Sequence, residues 1–227
     1  MKKKWGIEEI TLVIWAGIAL VLLIPATLFL RGSFPIFTVI WLIIPLMVVL
    51  RSSEAPRVGF RRISWRIFLT TASINLVLLL LVSMAVEPWS HTYQALVRGA
   101  MAAVPVDTTF AWLVRFKGII AWIGLLFFSG LISIFGEELF FRGWLLQGLL
   151  SRMNKVWAIV IQAALFAVPQ LLAVFALSPT QGIIYSVVYS FLAIGIIGGW
   201  AAAYSRSIWP SLAAATIWNL IMVAWVL

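Results

Sequence analysis

Glu137, Glu138 and Arg142 stand in the run Gly136-Glu-Glu-Leu-Phe-Phe-Arg142-Gly143, with apolar residues from Ile132 to Phe135 before it and from Trp144 to Leu150 after it. Acidic side chains inside or at the edge of an apolar span are costly and rare, so each is a functional candidate by default. On a helix, Glu138 and Arg142 lie four residues apart on one face and pair. Glu137 points about 100° away and lacks that partner. An unpaired carboxylate facing a partly dry cavity is a candidate general base on water. The opposing expectation is an ion-paired cluster that stabilises a helix end and does no chemistry.

Other chemistries have few residues to work with. The chain has no cysteine and one histidine, His91. Disulfides, thiolate metal sites and cysteine nucleophiles are excluded. A zinc site wants about three protein ligands from His, Cys and carboxylates, and only Glu137 and Glu138 lie near one another, so neither a metal nor a cofactor is expected.

The elements that must position these residues belong to a membrane. Of the 227 residues, 64% are hydrophobic and 10% charged, and the mean hydropathy is +1.12. A water-soluble domain has about 45–50% apolar and about 25% charged residues, so a soluble fold is excluded. At about 20 residues per span, the length fits a polytopic all-α bundle in a single transmembrane domain. The apolar runs are 11–30, 34–50, 67–86, 118–135, 156–177, 182–204 and 208–227, giving about seven spans. The first is too long for a signal h-region of about 7–15 residues and reads as a retained span.

The net charge of +9 comes from basic residues clustered at the ends of apolar runs, the pattern of the positive-inside rule and not a nucleic-acid surface. Lys2 to Lys4, the loop from Arg51 to Arg66 and Arg206 are expected in the cytoplasm with the N-terminus. The connection from Glu87 to Lys117, which holds His91, is expected outside as an interfacial helix, so His91 is read as a headgroup-level residue opposite Glu137. Trp5, Trp65, Trp89, Trp112, Trp157 and Trp209 fall near span ends, as an interfacial belt requires. Gly195, Gly198 and Gly199 permit close helix approach. The paired broken helices of a repeat-built transporter are not found.

Beyond these local readings, Glu137, Glu138 and Arg142 match the Glu-Glu-x-x-x-Arg first motif of the CAAX protease and bacteriocin-processing (CPBP, or Abi) family of intramembrane proteases, which the chain resembles over about 118–227. Leu165-Phe166-Ala167-Val168-Pro169-Gln170 aligns with the family's second motif, Phe-x-x-x-His. Ser207-Ile208-Trp209-Pro210 leading to Trp218-Asn219 aligns with the third, His-x-x-x-Asn or Asp, preceded by Phe191, Gly195 and Gly199. Residues 1–117 resemble the family only in being apolar helices. The resemblance implies that Glu137 activates a water, that Glu138 and Arg142 support it, and that Asn219 supplies a polar contact.

Two departures qualify this. Gln170 stands at the second-motif histidine and Ala215 at the third-motif histidine. An amide donates and accepts hydrogen bonds but does not exchange protons near neutral pH, and a methyl group does neither. The resemblance therefore implies a degenerate site at Glu137, Glu138, Arg142, Gln170 and Asn219. The expected protein is an integral membrane protein of a prokaryotic-type inner or plasma membrane, catalytically impaired and acting as a binding or assembly partner of another membrane protein. The alternatives are a glutamate-dependent endopeptidase acting on membrane-embedded or prenylated peptides, and a binder of lipid or an isoprenoid cofactor.

Overall fold

The computed structural model of the chain describes residues 59–85, 134–172 and 179–226, and every regular element among them is helical. α1 is Trp65–Ala85. Ile134–Glu137, Glu138–Leu145 and Leu146–Leu150 run on as one helix, α2. α3 is Lys155–Ala167, followed by a 3₁₀ turn at Pro169–Leu172. Pro179–Ile184, Tyr185–Ile197 and Gly198–Ser205 likewise form one helix, α4, and α5 is Trp209–Val226. Among the described residues, Trp65–Met84 and Gly182–Ser205 are long and apolar enough to cross a membrane. The expected spans at 11–30 and 34–50, and the interfacial segment with His91, lie outside the described residues.

Three of the expected runs are close to helices α1, α4 and α5. Two differ. The run ending at 135 was expected to deliver the glutamates at a span end, but the helix continues through them to Leu150. Glu138 is therefore twelve residues short of that end. The run 156–177 breaks after Ala167, where Pro169 lacks the N–H that the next helical turn needs. A 3₁₀ turn takes over.

α2 and α3 form a hairpin. Ser151 Oγ donates to Gly148 O at the end of α2, and Asn154 caps α3 by accepting from Trp157 N–H at 3.0 Å. α4 closes on α3 with small residues: a Cβ placed on Gly195 would lie 2.7 Å from Ala163 Cβ. α1 packs mainly against α5 and α4. The apolar core is built around Leu139, Phe140, Phe141, Phe166 and Ile208, with a second cluster of Leu79, Tyr189, Ala193, Ala214 and Trp218 between α1, α4 and α5. Phe141 and Phe166 meet edge to face with centroids 5.1 Å apart, a favoured aromatic geometry.

Three chain turns meet at one end of this bundle. Ile208 N–H donates to Gly59 O at 3.1 Å and Ser207 Oγ to Arg61 O at 3.1 Å, joining the approach to α1 with the α4–α5 turn. Lys155 Nζ lies 5.2 Å from the centroid of the Tyr204 ring, joining the α2–α3 turn to the same place. Arg206, in the left-handed conformation at φ 54°, reverses the chain between α4 and α5.

Both composite helices contain a wide π-helical stretch, over Glu138–Leu145 and Tyr185–Ile197. At the end of the first, Leu146 N–H donates to Phe141 O, five residues back. π turns are uncommon and gather at functional sites. Arg142 of the first reaches the Ile194 carbonyl of the second.

Candidate functional site

Glu138 and Arg142 pair as their spacing predicts: Arg142 Nη1 lies 3.3 Å from Glu138 Oε1, and both side chains are buried. The other oxygen, Oε2, accepts from Ser211 Oγ of α5 at 2.6 Å. Arg142 Nη2 donates to the carbonyl of Ile194 on α4 at 2.7 Å, within the π-helical stretch. The guanidinium also lies 4.4 Å from the centroid of the Phe166 ring of α3, a cation–π distance. One buried arginine thus touches α2, α3 and α4, and its carboxylate partner reaches α5. Burial without such partners would be prohibitive for either charge.

Two consecutive glycines make room for this layer. A Cβ on Gly198 would stand 3.3 Å from Arg142 Nη2, and one on Gly199 would stand 2.7 Å from Gln162 Oε1. Gln162 is itself fully buried on α3, so α4 presents backbone to two polar side chains in successive positions.

Glu137 precedes the pair by one residue and is half-buried. Its turn packs against α5, the helix that carries Ala215 and Asn219. Asn219 is buried and Ala215 half-buried on the same helix, four residues apart. Gln170 lies in the 3₁₀ turn after α3 and engages α4: Tyr185 Oη donates to Gln170 Oε1 at 3.3 Å, and Ser186 Oγ donates to Gln170 O at 2.9 Å. Among the described residues no hydrogen bond joins Gln170 to Glu137. No group of three His, Cys, Asp or Glu side chains that could hold a metal ion occurs among the described residues.

Residues 119–221, a stretch reaching from before α2 into α5, match the family described as Type II CAAX prenyl endopeptidase Rce1-like. No curated protein and no solved structure matches the chain. The Rce1-like match contains Glu137, Glu138, Arg142, Gln170, Ala215 and Asn219.

Sequence reasoning passed over Ser211, the second partner of Glu138. A signal was present. Ser211, Ala215 and Asn219 recur every four residues, which places them along one face of α5, and Ser211 is a polar residue in a long apolar helix. The role of Gly198 was read as helix packing alone; its neighbour is the Arg142 guanidinium.

Proposed function

We propose that this CAAX protease-like membrane protein has lost the proton-transferring part of its site and acts by holding another membrane protein, not by cutting it. Gln170 carries this reading. It stands where the resemblance puts a histidine, and its side-chain oxygen is occupied by the Tyr185 hydroxyl. Neither an amide so engaged nor the methyl group of Ala215 moves a proton. The Glu138–Arg142 pair is in turn committed to joining helices. In this reading the site residues Glu137, Gln170 and Asn219 line a docking place for a partner's transmembrane segment.

A second reading rests on Glu137, which is half-buried and precedes the buried pair. It is a glutamate-dependent endopeptidase acting on membrane-embedded or prenylated peptides.

Purification from gently solubilised membranes, with a prenylated reporter peptide assayed on the same sample, separates the two. A stoichiometric membrane-protein partner together with no cleavage supports the holding role. Efficient cleavage by the isolated protein, lost in Glu137→Gln, overturns it in favour of the enzyme.

A further inference from the structure

We infer that the end of the bundle where α2 meets α3 and α4 meets α5 is a binding surface for the headgroups of anionic lipids. The two turns adjoin through Lys155, whose ammonium lies 5.2 Å from the centroid of the Tyr204 ring. Tyr204 is 58% exposed and Trp157 59% exposed, so apolar rings with polar edges stand at this level, as they do where a bilayer's headgroups begin. Arg206 follows Tyr204 by two residues, exposed, on a left-handed turn. Across that turn lies the approach to α1, held by the bonds of Ile208 to Gly59 and of Ser207 to Arg61. It brings Arg62 and Arg66, both exposed.

The charge is one-sided. Of the two carboxylates among the described residues, Glu138 is buried and committed to Arg142, and Glu137 is half-buried before it near the start of α2, so no exposed carboxylate among the described residues opposes these cations. Exposed cations from three separate chain turns therefore share one end with interfacial aromatics. A phosphate-bearing headgroup in the adjoining leaflet meets both requirements at once: its charge sits against Lys155 and Arg206 while its acyl chains run along the exposed apolar flanks of α3 and α4. A soluble anion satisfies only the first requirement. Each Lys or Arg held near an anionic surface contributes about fivefold in affinity.

The test uses the full chain in non-ionic detergent and follows its melting midpoint during titration with dioleoylphosphatidylglycerol, dioleoylphosphatidylcholine of identical acyl chains, glycerol phosphate or a poly-glutamate peptide. The phosphatidylglycerol is expected to raise the midpoint saturably and the other three to leave it unchanged. In Lys155→Gln with Arg206→Asn, the latter tolerant of the left-handed backbone, the half-effect concentration should rise roughly 25-fold. Native mass spectrometry should show the same loss of bound lipid. An equal effect of phosphatidylcholine, an unchanged half-effect concentration in the variant, or reproduction of the shift by glycerol phosphate or poly-glutamate overturns the inference. Should the variant not fold, the natural protein decides: a phosphatidylglycerol effect that is the same at about 0.05 M and about 0.5 M salt, where screening differs severalfold, is equally fatal.

Discussion

The hydroxyl of Ser211 on α5 donates to Oε2 of Glu138 on α2 at 2.6 Å, across 73 positions of sequence. With Arg142 at Oε1, both oxygens of this buried carboxylate are engaged from within the bundle. Of the adjacent glutamates, Glu138 is the one built into the fold.

The order of stability losses follows. Glu138→Gln removes a charge from a buried pair and should cost about 3–5 kcal/mol. Ser211→Ala removes a hydrogen bond to a charged group and should cost about 1.5–3 kcal/mol. Glu137→Gln should cost the least. Denaturation of the three variants in the same detergent tests this ranking, and a loss for Glu137→Gln equal to or larger than that for Glu138→Gln would overturn the assignment of the paired and available carboxylates.

Gly195→Ala should destabilise by about 1–3 kcal/mol, the usual penalty for overpacking, because its new methyl would meet Ala163 Cβ at 2.7 Å and Ala163 Cα at 3.0 Å. Adding Ala163→Gly should recover part of the loss. A double variant no better than the single one would show that the α3–α4 approach is set elsewhere.

Much of this was legible in advance, for reasons that differ by residue. The Glu138–Arg142 pair follows from a spacing of four, which survives even a widened helix. The close α3–α4 contact follows from the glycines. Ser211 escaped because a lone serine in an apolar helix has an ordinary alternative, bonding its own backbone, and it does donate to Ile208 O as well. The break after Ala167 was visible as Pro169, but strong hydropathy on both sides outweighed it. The π-helical stretches had no sequence signal, since five-residue backbone bonding leaves no mark in residue type or hydropathy.

Trp218 Nε1 donates to Ser83 Oγ at 3.0 Å, linking α5 to α1. Interhelical hydrogen bonds in membranes average about 0.6 kcal/mol, and a double-mutant cycle of Trp218→Phe and Ser83→Ala should return a coupling of that size. Additive losses would mean that the pair contributes packing alone.

The convergence of three turns at one end makes a topological statement. Single cysteines placed at exposed Ser64 and Ser151 should react with a membrane-impermeant maleimide from the same side of the membrane, and one at exposed Thr180, at the opposite end of α4, from the other. Labelling of Ser64 and Ser151 from opposite sides would dismantle the arrangement.

If Gln170 and Ala215 occupy lost histidine positions, Gln170→His with Ala215→His should raise cleavage of a prenylated reporter by about 10²-fold or more, the usual contribution of a positioned acid or base. Adding Glu137→Gln should abolish the gain. A gain that persists without Glu137 would separate those positions from the glutamate.

The placement of α1 bears on how the chain is made. Its main neighbours among the described elements, α4 and α5, are translated after α2 and α3. Thr71 and Asn75, buried in the finished bundle, have no contact with those partners while the intervening residues emerge, and the carbonyl of Gly59 awaits the N–H of Ile208. The seam that α1 shares with α4 and α5 therefore closes only after the α2–α3 hairpin has been made, so that hairpin is threaded into a bundle whose flanking helices have yet to meet.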